Sequence, residues 1–263
     1  MKMRLVLAVL ALFAPAGGHA AAWQNTLTAE PGNFPELRPL RAKYVFGWSG
    51  VTAATGEVHF TKPSPAHFQL EGSGRTIGLA RALWRLDATY RGRADSQTLR
   101  PLEANQTENY RSKRVATHLT FGADDVKSMR SESKGAGAAA TKTRQFKFAN
   151  LFDLHSALLF LRSQPMRDRA VYRVVVYPAT SAYLATVTVA GHERISVRSG
   201  SYDAIKVELQ LHKIGKNFEL EPHRKFRRAT AWVSDDQNRI LLRIEAQIFV
   251  GTVFAELQTV HFE

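Results

Sequence analysis

From Leu242 the chain alternates with period two: Leu242, Ile244, Ala246, Ile248 and Val250 share one parity, against Arg243, Glu245 and Gln247 on the other. Such a pattern fits a strand with one buried and one wet face, and a helix would scatter the same residues around its whole surface. The period recurs along the chain. Tyr44, Phe46 and Trp48 share a face; Trp84, Leu86, Ala88 and Tyr90 oppose Arg85, Asp87, Thr89 and Arg91; Val207, Leu209 and Leu211 alternate with Glu208, Gln210 and His212. Turn residues separate these runs at Ser49-Gly50, Gly72-Ser73-Gly74, Ala190-Gly191-His192, Ser199-Gly200-Ser201 and Ser234-Asp235-Asp236. The pattern predicts a mainly β protein, an antiparallel curved sheet or barrel-like single domain over residues 40–263. Gly251 interrupts the last alternation, and Val253, Ala255 and Leu257 resume on the other parity, which predicts a bulge or sharp bend.

One segment departs from the β pattern. Asn150 to Ser163, NLFDLHSALLFLRS, is apolar nearly all round and carries Asp153 where a helix cap belongs. It predicts one short buried helix around 153–162, a plug or lid for the sheet. Residues 131–143, SESKGAGAAATKT, are small and polar and predict a flexible loop. GSGRTIG, from Gly72 to Gly78, reads as a hairpin loop. Residues 23–39, with Pro31, Pro35 and Pro39, read as an extended leader.

The first 22 residues combine Lys2 and Arg4, an apolar run from Leu5 to Ala14 and a small-residue exit, the three parts of a cleavable signal peptide. There is no cysteine, so neither lipid acylation at the cleavage site nor a disulfide is available. The expectation is a periplasmic protein that is not a lipoprotein. Formal net charge is +13; without Lys2 and Arg4, 34 basic residues face 23 acidic ones, leaving +11. That excess favours a lipid or anionic glycolipid as partner and peripheral contact with a membrane surface; export argues against nucleic acid.

Chemistry-bearing patterns are absent. No HExxH, GxSxG, GxxxxGK[ST] or GxGxxG occurs, the nine histidines are scattered, and Ser156 reads as a polar helix position. The expectation is a protein that is not an enzyme, with no metal and no cofactor. The remaining candidates are a ligand cavity formed by Tyr44, Phe46, Trp48, Trp84, Tyr90 and Trp232, and an anion-binding rim of Arg224, Lys225, Arg227 and Arg228 in HRKFRR. Together they point to an amphipathic, anionic envelope molecule such as a lipid or a lipopolysaccharide-like compound. The alternative from another class is a scaffold or assembly protein of an envelope complex, with no small-molecule ligand.

DLHSALLFLR (Asp153 to Arg162), VTVAGHERISVRSGSYDAIKVEL (Val187 to Leu209) and WVSDDQNRILLRIEAQIFVGTVFAEL (Trp232 to Leu257), in that order, resemble the domain-of-unknown-function family DUF3108. The family often has a proline where this chain has Leu154. The resemblance implies an exported bacterial protein, commonly Gram-negative, with a mostly antiparallel, barrel-like domain. It implies no activity.

Overall fold

The computed structural model describes residues 22–135, 137–222, 228–248 and 251–263. The expected signal peptide, apart from Ala22, lies outside these residues. Alternation becomes strand almost everywhere it was read. The first half is a meander of β1 (Leu40–Trp48), β2 (Val51–Ser64), β3 (His67–Thr76), β4 (Leu86–Asp95), β5 (Pro101–Tyr110), β6 (Lys113–Phe121), β7 (Asp125–Lys134) and β8 (Ala140–Lys147). The second half holds β9 (Leu151–Phe152), β10 (Val171–Val176), β11 (Tyr183–Val197), β12 (Gly200–Ile214), β13 (Leu220–Pro222), β14 (Arg228–Ser234), β15 (Leu241–Ile248) and β16 (Gly251–Phe262). Two helices interrupt them, α1 (Gly78–Leu83) and α2 (Leu154–Ser163).

The strands form one sheet in the order β8-β7-β6-β5-β4-β3-β2-β1-β16-β15-β14-β12-β11-β10-β9, with β13 beside β12. Each half is a run of sequence neighbours, and the halves join at the antiparallel pair β1–β16, Leu40 opposite Phe262 and Trp48 opposite Val253. The outer strands β8 and β9 are not hydrogen-bonded to each other. Side chains close the curl instead. Ala104, Leu119 and Val126 of β5–β7 pack on Leu151, Val175, Tyr177 and Leu184 from the other end of the sheet. Ser128 Oγ adds a bond to the Ala179 carbonyl at 2.6 Å.

Helix α2 fills the concave side, and its buried face divides between the two halves. Ala157, Phe160 and Leu161 pack on β9–β12 and β14. Leu159 packs with Leu40, Phe60, Phe68, Leu242 and Leu257. Asp153 is the cap that the sequence predicts, in a reciprocal box: Ser156 N donates to its Oδ1 at 2.6 Å and Asp153 N donates to Ser156 Oγ at 3.1 Å. Leu154 and Leu158 are exposed, so the helix is buried on one broad side rather than all round. The leader is a strap over the far end of α2. Gly32 N and Phe34 N donate to Ser163 Oγ and O at 2.9 and 3.1 Å, and Gln164 Nε2 donates to the Glu30 carbonyl at 2.9 Å.

Four local expectations change. Ala190-Gly191-His192, read as a turn between strands, lies inside β11, at the register shift of its pairing with β12. Residues 131–134 and 140–143 are paired strand, Ser131 opposite Thr141, so the expected flexible loop at 131–143 is largely a hairpin. Its small polar composition reflects β8, an edge strand with almost every residue exposed. GSGRTIG is the end of β3 running into α1, not a hairpin loop. Gly251 (φ +127°) opens β16 opposite Ile248, so the parity change at Gly251 marks a hairpin between two strands rather than a bend within one. The Ser234–Asp236 turn behaves as read, Asp236 Oδ1 accepting from the amides of Asn238 and Arg239 at 2.8 and 3.0 Å.

His155 sits edge-on to Phe60 in this core, and neither ring nitrogen has a hydrogen-bond partner among the described residues. Burial lowers its pKa from 6.5 to about 4, against a weaker opposing pull from the Asp153 charge. Above pH 6.5 the ring is neutral whether the chain is folded or not. Below that the unfolded chain takes up the proton first, so this group removes stability as pH falls from 6.5 to about 4, and no more beyond. At about 1.4 kcal/mol per pH unit the loss totals about 3 kcal/mol. Urea unfolding across this window should show His155→Leu at least as stable as wild type at neutral pH and without that share of the acid loss. Asp153→Ala removes the cap and strands the buried groups that bond its carboxylate; its expected cost is about 2–4 kcal/mol in the same measurement.

Candidate functional site

A cavity of about 240 Å³ lies on the concave face between the head of α2 and strands β1–β6. Its floor is two rungs of the sheet. In one, Tyr44, Gly56, Gly74 and Ala88 are successive cross-strand neighbours; in the next, Val58, Gly72, Tyr90, Gln106 and Thr117 are. Leu119 and Ala104 continue the apolar wall, and Phe46 and Leu154, both exposed, stand at the mouth.

The space exists because side chains are missing from the floor. A Cβ added at Gly74 would meet only the Thr55 carbonyl oxygen, at 3.6 Å, and one at Gly72 would find ordinary contacts of 3.7 Å or more. Neither glycine has a left-handed φ. Glycine within a strand costs about 0.5–1 kcal/mol relative to alanine, so its presence here has no backbone cause and leaves a hollow. Gly92 is different: a Cβ there would fall 2.3 Å from Tyr90 Oη, because the Tyr90 ring lies across it. That placement brings Tyr90 Oη to Asp153 Oδ2 at 2.5 Å. Burial first, and then the Asp153 charge, push the Tyr90 phenol far above its ordinary range, so it stays a neutral donor. Tyr44 Oη donates to the Leu241 carbonyl at 2.9 Å, and burial raises it likewise.

Every oxygen of this polar cluster is therefore committed. Asp153 accepts from Tyr90, from Ser156 N and from Ser156 Oγ at 2.6 Å. Ser156 and Asp153 serve the helix cap, and the neighbouring His155 bonds to neither. Among the described residues no three His, Asp or Glu side chains gather as metal ligands. Nor does any Lys or Arg line the cavity; the charge within it is the Asp153 carboxylate. Glu57, which borders it, lies within 3.9 Å of Lys43 on the outer face. The lining is largely apolar and carries no cation to pair with an anion.

The expected cavity residues divide evenly. Tyr44, Phe46 and Tyr90 line it; Trp48, Trp84 and Trp232 do not. Trp48 is half exposed at the tip of β1, where the chain leaves the barrel. Trp84 follows α1, which displaces it from the strand face that its parity suggested, and its ring lies beside Tyr110 at 6.3 Å. Trp232 is half-buried against the cluster that holds Ala204 and Leu242, away from the cavity, its indole donating to Glu193 Oε1 at 2.6 Å with the Lys206 ammonium over its ring. Of the expected rim, Arg224, Lys225 and Arg227 lie outside the described residues; Arg228 is exposed and opens β14 opposite Gln247. The residues missed are Gly56, Gly72, Gly74 and Ala88. Glycines two apart within an alternating run were the available signal.

Comparisons with known proteins agree with this architecture. The chain aligns in structure with a β-barrel-like DUF1849 protein from Brucella abortus, TM-score 0.53 at 11% identity, covering 87% of this chain and 99% of that one. Weaker likenesses are to a Bacteroides fragilis protein described as exported, with a YmcC-like fold (TM-score 0.32, 11% identity, 88% and 99% covered), and to a Parabacteroides distasonis protein described as a lipoprotein (0.33, 7%, 89% and 100%). A search of curated proteins returned no match. A family model described as "Protein of unknown function (DUF3108)" matches residues 43–258, nearly the whole folded chain, and the protein thus belongs to the DUF3108 family.

Proposed function

We propose that this is a periplasmic, non-enzymatic binding protein that takes the apolar part of an envelope amphiphile into the cavity between α2 and β1–β6. The observation that carries the reading is the hollow floor: two strand glycines without a conformational reason, facing Tyr44, Phe46, Tyr90 and Leu154. A cavity of about 240 Å³ suits one short acyl segment or a single ring rather than a whole two-chain lipid. Each buried methylene contributes about 0.8 kcal/mol. With Asp153 inside and no cation lining the walls, the head group stays at the mouth. The charged, signal-like N-terminus and the lack of cysteine support the periplasmic placement. The scaffold reading is supported by exposed apolar residues elsewhere on the surface, but leaves the hollow without a role.

Native mass spectrometry of protein purified from its own periplasm, with solvent extraction of what it carries, tests the reading. Wild type should carry an extractable amphiphile. Gly74→Val, which fills the floor at ordinary backbone angles, should emerge empty and be as stable as wild type or more so, by about 0.5–1 kcal/mol. A wild-type protein with a clean unliganded mass, and with no uptake of an added apolar fluorophore such as N-phenyl-1-naphthylamine, would leave only the scaffold reading standing.

A further inference from the structure

The strands of the first half run up and down, so every second connection lies at the same end of the sheet. At that end sit the β1–β2 turn, the α1 connection between β3 and β4, and the β5–β6 turn. Helix α1 is unusual for so short an element. None of its residues is buried, its N-cap Ile77 makes no side-chain bond, and Leu79 and Leu83, four apart and thus on one face, are 85% and 87% exposed. Trp84 follows at 57% exposed, and across the neighbouring hairpin Trp48 and Val51 are 50% and 68% exposed. The elements are tied together: Ile77 N donates to the Ala53 carbonyl at 2.9 Å, and Arg111 of the β5–β6 turn donates to the Ala82 carbonyl at 2.7 Å. This end of the sheet therefore presents leucine, valine and tryptophan to water on a held framework, where a water-soluble surface ordinarily hides them.

The charges around it are one-sided. Arg75, Arg85, Arg111 and Arg114 are exposed here. The nearby carboxylates are already engaged: Asp87 takes both forks of Arg81 at 2.9 and 3.0 Å and lies 3.5 Å from the exposed Arg85 Nε, and Glu132 lies 3.5 Å from Lys113. Arg75 and Arg114 have no acidic partner among the described residues. Apolar side chains that protrude, with tryptophan beside them and exposed guanidinium groups around them, match a bilayer interface: leucine enters the acyl boundary, indole takes the interfacial level, and arginine meets phosphate. A second copy of this chain would bring the same positive charge against itself.

We propose that the α1 end of the barrel docks on an anionic phospholipid bilayer, with Leu79, Leu83 and Trp84 inserted and Arg75, Arg85, Arg111 and Arg114 on the phosphates. The site is distinct from the cavity, since none of these residues lines it, but it is close by. Phe46 at the cavity mouth pairs with Ala54, next to the Ala53 carbonyl that holds the start of α1. Docking there sets the mouth near the membrane surface.

Vesicle co-sedimentation of the mature protein tests this, with phosphatidylcholine alone against phosphatidylcholine mixed with phosphatidylglycerol. Wild type should bind the anionic vesicles, lose binding as salt rises and show a blue shift in tryptophan emission. The double variant Leu79→Ser, Leu83→Ser should bind at least about tenfold more weakly while keeping the wild-type circular dichroism and thermal midpoint, because both leucines are exposed in the free protein. Arg75→Gln with Arg114→Gln should flatten the salt dependence. Gly74→Val should bind vesicles as wild type does, which separates failure of the cavity reading from failure of this one. The proposal is overturned by a wild type that ignores anionic vesicles, or by a leucine variant that binds as well as wild type. A dimer lost in that variant, without vesicle binding by wild type, overturns it equally.

Discussion

The structure depends on one buried carboxylate. Asp153 is 2% exposed, and burying such a group is tolerable only when its oxygens are fully bonded. The bonds it accepts do two jobs at once. Ser156 ties the carboxylate to the first turn of α2, and Tyr90 ties it to β4, in the middle of the first-half meander. The helix is thereby fixed in rotation as well as position. Phe160 then faces β9–β12 and β14, and Leu159 the seam where β1–β3 meet β15 and β16. A helix held only by apolar contacts could slide or roll within such a trough; charge-assisted hydrogen bonds are directional and forbid it.

That anchoring explains how a sheet whose edges are not bonded together can still behave as a barrel. A closed barrel removes its edges by hydrogen bonding. Here the curl is maintained by what lies inside it, and the inside is shared among α2, the packing of β5–β7 on β9–β11, and the leader strap. The cavity occupies the part of the trough that α2 does not reach. Its floor is low where Gly72, Gly74 and Ala88 replace the large side chains found elsewhere on the concave face, while the Phe46 ring lies over Gly56.

The fold was legible to the extent that periodicity reports it. Paired strands with one buried face display their pattern openly, and the Asp153 cap followed by an apolar run marked α2 almost to the residue. The failures share a cause: parity does not carry across an interruption. Trp84 looked continuous with Leu86 and Tyr90, but it is the C-cap of α1 and β4 begins only at Leu86, so it is turned outward. A register shift between Lys43 and Tyr44 changes which face of β1 is deep, leaving Val45 buried and Phe46 and Trp48 increasingly exposed. Strand β8 has no buried face, so its residues read as a loop. The site was half visible because large aromatics announce a cavity wall, whereas the floor is made of atoms that are absent. The exposed leucines of α1 gave no warning, since an isolated two-turn helix is too short to register as a period.

The pairing of β1 with β16 has a consequence for how the chain reaches this state. Leu40 lies opposite Phe262, and Glu263 N donates to the Pro39 carbonyl at 2.9 Å, so the two ends of the folded chain meet at the centre of the sheet. Contacts within each meander are local and form early; the seam between them joins residues more than two hundred positions apart and closes only after the last strand is available. Until then β1 and β15 each present an open edge. Topology of this kind folds slowly and as a whole, which leaves the completed domain without a natural point of division between its two meanders.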